Sequence, residues 1–287
     1  MAAHADAAPA ATGTTTIIQP SKGWVHLGLR ELWQYRELLY FLTWKDILIR
    51  YKQAVLGVAW AVLQPVLTVL VFSVIFGIVL GVKSPYGVPY PVFSLTGLLP
   101  WTLFAGSLSR SGASLVGSAN LITKVYFPRL VIPTSAVLGG LPDFFIGVLV
   151  LIVLMVAYQV VPTGNVVWLP FFVLLAMVTA LGVSLWLSAL NVLYRDVQYI
   201  IPFLVQLWFF LSPVTYPTTK LATLPDWVQV IYSLNPMTGV IGGFRWALLG
   251  QQAPNGLFWL SAAMVLVVLV GGLYYFRRME RIFADVV

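Results

Sequence analysis

An all-α membrane protein with six transmembrane helices is the fold class this sequence predicts, and three observations predict it. Hydrophobic residues fill 60% of the 287 positions and charged residues only 9%, against roughly 45–50% and about 25% in an ordinary globular domain. Mean hydropathy is +0.92. The few charges are clustered, so that uncharged runs long enough to cross ~30 Å of hydrocarbon alternate with short charged connections. The absence of cysteine removes disulfide scaffolds, thiolate metal sites and Cys nucleophiles, and the hydrophobic content removes disorder.

Each element follows in order. Residues 1–20 are Ala/Thr-rich with one Asp and no Lys or Arg. They read as a disordered tail, because a signal peptide needs a basic start before an apolar run. Residues 21–53 form an amphipathic region: Leu32, Tyr35, Leu39 and Leu42 share a helical stripe opposite Arg30, Gln34 and Glu37, and Lys22, Arg30, Arg36, Lys45, Arg50 and Lys52 are basic. A helix lying in the headgroup layer fits this pattern, as does a helix packed on a soluble partner. The remainder, 54–287, is the transmembrane domain. No charge occurs between Lys52 and Lys83 or between Lys83 and Arg110, which places span one over about 56–80 and span two over about 92–109. Asp143 is the only charge from Leu130 to Tyr194. That run breaks at the turn residues 161–165 into span three, about 132–160, and span four, about 167–193. Span five covers about 199–212, stopping before Pro213 and Pro217, and span six about 257–276. Two apolar pieces, 224–234 and 237–249, are too short to cross and are expected to dip into the membrane and return.

Charge placement orients the chain. With six spans, 13 of the 16 basic residues fall on one face, leaving Lys83, Lys220 and Arg245 on the other. Lys and Arg collect on the cytoplasmic side, so both termini are expected there. The net charge of +7 is thus a topology signal and not a nucleic-acid surface.

The chemistry of an enzyme is missing. His4 and His26 both precede the first span, so no zinc-binding His pair lies in the membrane, and a nucleophile elbow and a phosphate-cradling loop are also absent. Gly81-Val82-Lys83-Ser84 lacks the glycine spacing such a loop needs. Asp143 has two open readings. An ionisable group within a span is a candidate proton site, but directly after Pro142, near a helix break, it also suits a capping or gating role.

Several stretches are more specific. They are Trp44-Lys45-Asp46-Ile47-Leu48-Ile49-Arg50-Tyr51-Lys52-Gln53 running into Leu63-Gln64-Pro65, Leu99-Pro100-Trp101-Thr102-Leu103-Phe104, Asn120 through Arg129, Asn191 through Val197, Ser212 through Pro217, Leu234-Asn235-Pro236, and Gly243-Phe244-Arg245-Trp246-Ala247-Leu248. From about residue 25 onward the chain resembles the permease subunit of type-two ABC exporters. Within them it is most similar to the branch exporting O-antigen, capsule, galactan and teichoic acid. One departure is Gly242, where the resemblance implies an acidic residue that could pair with Arg245.

The resemblance implies a homodimer of six-span subunits in the bacterial inner membrane, with two ABC ATPase subunits bound from the cytoplasm that hold the ATP and magnesium. This chain itself holds no cofactor or metal. The amphipathic region becomes an interface helix and 110–129 a coupling helix, with Ser118, Asn120, Lys124, Tyr126, Phe127 and Arg129 as the ATPase-facing residues. The pieces within 224–249 become re-entrant gate helices. A path for a lipid-linked glycan should combine ring faces with a few hydrogen-bonding groups, which makes Trp60, Gln64, Trp101, Phe104, Tyr194, Gln206, Trp208, Phe209 and Tyr216 channel candidates. Arg50, Lys52 and Arg195 are candidates for drawing in the lipid phosphate. Two alternatives remain: a drug or lipid exporter of the same fold, and a non-catalytic scaffold for an envelope synthase.

Overall fold

A computed structural model describes residues 29–52, 57–82, 84, 87–218, 223–251 and 253–283. The expected tail over 1–20, the start of the 21–53 region, Lys83 and Lys220 lie outside the described residues. Every regular element among the described residues is helical. Helices α1 (Leu29–Gln34) and α2 (Arg36–Lys52) precede α3 (Gly57–Phe72), which continues as a wider π-type coil over Ser73–Val79. Then come α4 (Tyr90–Gly117), the short α5 (Ala119–Lys124), α6 (Val131–Leu138) and α7 (Leu141–Ala157). A tight turn at Gly164–Trp168 opens α8 (Leu169–Leu193), followed by α9 (Val197–Phe210), α10 (Asp226–Ser233), α11 (Pro236–Leu249) and α12 (Gly256–Met279).

Five segments are long and apolar enough to cross a bilayer: Ala59–Val79, Tyr90–Gly117, Val131–Ala157, Gly164–Leu193 and Gly256–Ile282. The expected fifth span is the shorter α9, 14 residues or about 21 Å at 1.5 Å per residue. Helix α10 has eight residues and α11 14, so neither reaches across on its own. The span expected over 132–160 is two helices, because Pro142 lacks the N–H that would bond to the carbonyl of Leu138, and the chain breaks at Gly139–Gly140. Helix α4 runs eight residues past Ser109, which brings Arg110 into the span instead of the loop. Its extension is held by α6, where Ser111 Oγ donates to Pro133 O at 3.5 Å and Arg110 Nε to Ala136 O at 3.2 Å.

Helix α4 is the hub. It is the least hydropathic of the five and by far the most buried. The inversion is physical: a lipid-facing helix must be apolar all round, whereas an interior one carries small polar residues that close onto their own backbone. Thr96 Oγ1 donates to Val92 O at 2.8 Å and Ser114 Oγ to Ser111 O at 2.7 Å. Around α4 pack α6, α7, α8, α9 and α11. Helix α3 is the least buried of the five, with Val69 as its one buried residue among those described and Ala61, Pro65, Thr68 and Phe72 half-buried. A second, smaller core gathers Leu42 of α2, Leu115, Ile122, Phe127, Leu130, Phe276 and Phe283. It lies at the end of the molecule where the basic residues collect, with Leu32, Tyr35 and Leu39 of the expected stripe, running from α1 into α2, packed against it.

Asn235, between α10 and α11, ties the hairpin to α9. Its Oδ1 caps α11 through Met237 N at 3.0 Å and accepts from Trp208 Nε1 at 2.9 Å, while its Nδ2 donates to Leu211 O at 3.1 Å and Ser212 Oγ at 2.9 Å. Asn235→Ala removes the cap and strands a half-buried indole N–H, so we expect a loss of about 1–2 kcal/mol. Asn235→Asp, which keeps the acceptor and loses the donors, should fall between. Thermal unfolding in detergent measures both. Equal melting of alanine variant and parent would mean that water replaces these bonds.

Candidate functional site

The sequence candidates Arg50, Trp60, Gln64 and Asp143 meet in one cavity of about 680 Å³ between α3, α4, α7 and the end of α2. Its floor is apolar, with Pro65, Leu95, Leu98 and Leu99; Thr68 and Thr102 add hydroxyls to its wall. The charged end is built by the break between α6 and α7. Asp143, in the first turn of α7, accepts from Arg50 through one oxygen and from the Tyr51 hydroxyl through the other. Arg50 also donates to Gly139 O at 3.2 Å, and Arg110 Nη1 stands 3.9 Å from the oxygen that Arg50 holds. Each arginine therefore serves a carbonyl near the break as well as the carboxylate. Desolvation first, then the hydrogen bond to Asp143 and its charge, push Tyr51 up to about 12, so Tyr51 is a donor throughout the physiological pH range.

Tyr51 and Arg110 were not singled out for this site from the sequence. A signal existed: Asp143, alone in a long uncharged run, demands a cation, and Arg110 borders span two while Arg50 lies just before Lys52 at the start of span one. What hid Arg110 was its apparent place in a loop.

The remaining channel candidates lie elsewhere. Trp101 and Phe104 are enclosed within the chain, set edge-on against α9 with Trp101–Phe209 at 5.5 Å and Phe104–Trp208 at 5.0 Å between ring centroids. Gln206 is exposed on α9, and Tyr194 is exposed beside Arg195 past the end of α8. Tyr216 lies in the turn after α9, and its carbonyl accepts from Arg245 at 3.0 Å. Lys52 is exposed at the end of α2.

Arg245 is fully enclosed in α11. No acidic partner bonds it among the described residues, in keeping with glycine at 242. Instead its guanidinium donates to three carbonyls of the turn after α9, Pro213 at 2.7 Å, Val214 at 2.6 Å and Tyr216 at 3.0 Å, and lies 3.9 Å from the Phe93 ring centroid.

Between α4 and α6 the connection is only briefly helical. Ser118 O accepts from Leu121 N at 2.9 Å and Ile122 N at 3.1 Å to start α5. Asn120, Lys124 and Tyr126 are exposed while Phe127 is buried in the second core. The backbone N–H of Arg129 donates to Glu280 at 3.0 Å, and Glu280 and Glu31 both pair with Arg277, at 2.8 and 2.7 Å. An outward-facing Asn120–Lys124–Tyr126 edge is thereby anchored to α1 and α12. Among the described residues no cluster of His, Asp or Glu could hold a metal ion.

The comparisons with known proteins agree with this architecture. Residues 37–249 match the family model described as ABC-2 type transporter. The chain is 35% identical over 244 residues to the O-antigen export system permease protein RfbA of Myxococcus xanthus, covering 84% of this chain and 92% of that one. To the protein of the same name from Klebsiella pneumoniae it is 30% identical over 251 residues, covering 87% and 95%. It is 26% identical over 240 residues to the polysialic acid transport protein KpsM of Escherichia coli, covering 82% and 91%. A match over three-quarters of the chain, on a scaffold of apolar crossing helices, identifies a multi-pass membrane protein belonging to the ABC-2 type transporter family.

Proposed function

We propose that the chain is the membrane-spanning subunit of an ATP-driven exporter that moves a lipid-linked polysaccharide across the bacterial inner membrane. The observation that carries this is the near full-length likeness to proteins named O-antigen export permeases. Two chains form the transport path, two ABC ATPase subunits bind from the cytoplasm with ATP and magnesium, and both termini lie on that side. Helix α9 and the turn after it make the fifth span in chain order, which brings the total to six, and α10 and α11 form a re-entrant hairpin. That reading is supported by their length and by the bonds joining Asn235 to the end of α9. Helices α1 and α2 act as the interface helix, with Trp33, Tyr40, Phe41 and Trp44 exposed as headgroup-level rings are. The sparsely buried α3 and α9 are the natural elements for the seam between subunits. A glycan path needs many weak contacts, since tight sites would stall transfer, and Trp60, Gln64, Thr68 and Thr102 offer that mixture.

In the mechanism we infer, closure of the ATPase dimer pushes on the exposed edge around α5. Phe127 in the second core and the Arg129–Glu280–Arg277 network pass that push to α12 and α1, and the α10–α11 hairpin moves aside at the outer end. The test is purification of the tagged chain from native membranes in mild detergent. A P-loop ATPase should come with it at one to one, and depletion of the chain should leave undecorated polymer in the cytoplasm. Lys124→Glu with Tyr126→Ala should lower ATPase recovery several-fold with unchanged melting, because both side chains are exposed. Recovery of the chain alone, or with a glycosyltransferase, across several detergents would overturn the exporter reading.

A further inference from the structure

The charge count around Asp143 is uneven. One carboxylate faces two guanidinium groups, and its two oxygens are already taken by Arg50 and Tyr51. Arg110 is left at 3.9 Å, near enough to feel the charge and too far for a hydrogen bond. Its Nε and Nη2 are occupied by Ala136 O and Ser107 Oγ, at 3.2 and 3.5 Å, while Nη1 makes no hydrogen bond among the described residues. The side chain is seated between two glycines. A Cβ on Gly106 would lie 2.8 Å from Arg110 Nη1, and one on Gly140 would collide with Nη2. The backbone on both sides thus makes room for a guanidinium whose outer nitrogen lacks an acceptor.

The surroundings define what anion fits. Arg50 and Arg110 line both the 680 Å³ cavity and a second cavity of about 490 Å³ between α2, α4 and α6. The other ionisable groups in that second cavity, Lys45 and Asp46, offset each other. The arginine pair is therefore a partition, with a space where Ser114 and Ser118 stand among Leu42, Ile49 and Ile132 on one side and the apolar floor of Leu95, Leu98 and Leu99 on the other. The three ion-paired side chains keep 27–40% of their surface accessible. A phosphate carries up to about two negative charges and three acceptor oxygens, and arginine pairs recognise it bidentately. It would engage Arg50, Arg110 and Tyr51 together, which the single carboxylate does not. The apolar floor beside it suits a hydrocarbon chain.

We propose that Arg50 and Arg110 form a seat for a phosphate headgroup carried on a lipid, and that Asp143 fills this seat as an internal counter-anion until the headgroup displaces it. The identity of the lipid as a glycan carrier rests on the exporter reading; the seat itself rests on the geometry. Displacement frees the start of α7 from α2, so that loading of the seat is felt at the break between α6 and α7.

The test uses the purified full chain in detergent, with retention of added lipid followed by native mass spectrometry and by thermal shift. The probes are a polyprenyl phosphate, the matching polyprenol and inorganic phosphate. The parent should retain the polyprenyl phosphate and neither of the others. Arg110→Gln should weaken retention about tenfold or more, the equivalent of one lost charge-assisted contact. Asp143→Asn should strengthen it several-fold, since the competitor for the seat is removed. These opposite signs separate a seat from a merely structural cluster, in which both variants would weaken binding alike. If Arg110→Gln does not fold, Arg110→Lys serves, keeping the charge while losing the fork and showing a smaller loss. Equal protection by inorganic phosphate would overturn the lipid assignment, and equal retention of the polyprenol would overturn the anion seat. Co-purification of an ATPase with no phosphate-dependent retention would sink this inference and leave the exporter reading intact. Retention without any ATPase would do the reverse.

Discussion

Arg245→Met should lower the melting temperature of the purified chain by roughly 6–12 °C, the equivalent of about 3 kcal/mol or more for a chain of this size. Methionine fills most of the volume but donates nothing, and three carbonyls of the turn after α9 lose their donor where water cannot substitute. Arg245→Lys should recover less than half of the loss. One ammonium does not span Pro213, Val214 and Tyr216 as the two outer guanidinium nitrogens do, and its contact with the Phe93 ring is weaker in geometry. Gly97→Ala should reproduce part of the defect, since its Cβ would lie 2.8 Å from both Arg245 Nη2 and Val214 O. On the exporter reading proposed above, the Arg245 variants should retain the ATPase and lose export, because the turn they release links α9 to the α10–α11 hairpin. A melting point within about two degrees of the parent would show that the clasp is not what holds this turn.

The second large effect is expected at the crossing of α8 and α12. A Cβ on Gly272 would collide with Gly182 O and come within 3.1 Å of Trp186 Cδ1, and one on Gly182 would lie 2.9 Å from Leu269 Cα and N. Both obstacles include backbone, so relief requires the helices to part, and the stack of Trp186 on Tyr275 at 4.7 Å would part with them. In a membrane, where apolar burial gives helices little reason to associate, such close approach at small residues is itself the attraction. Gly272→Ala and Gly182→Ala should each cost about 2–3 kcal/mol. Gly242→Ala is the control: its Cβ would meet nothing within 4 Å, and helix propensity favours alanine by up to about 1 kcal/mol. If all three variants melt together, the close crossing contributes nothing to stability.

The two halves of the Asp143 site differed in legibility. A lone carboxylate in an otherwise uncharged run announces itself, because charge in a span is costly and rare. Its partners do not, since Arg50, Tyr51 and Arg110 are separated from it by 93, 92 and 33 positions and no periodicity links separate helices. Arg110 was harder still. A charge normally marks the end of a span, and only the packing of α4 on α6 extends the helix past it. The same reasoning covers Trp101 and Phe104. Their ring chemistry was readable, but which face of α4 points to α9 and which to a cavity depends on the neighbours.

Composition and charge spacing alone determined that this is an all-helical membrane protein, roughly where its apolar runs lie, and that its sequence carries no phosphate-cradling loop motif. These are properties of local transfer energy: each run must be apolar to leave water, and each connection must be polar to stay in it. Tertiary structure decided that the least apolar crossing helix is the innermost, that the third run is two helices hinged at Gly139–Gly140, that Arg245 bonds carbonyls instead of an acid, and that two arginines converge on one aspartate. Each of these depends on which surfaces meet across helices far apart in the chain. Lipid cannot supply hydrogen bonds, so polar groups inside the membrane must find one another, and no local pattern states which ones will.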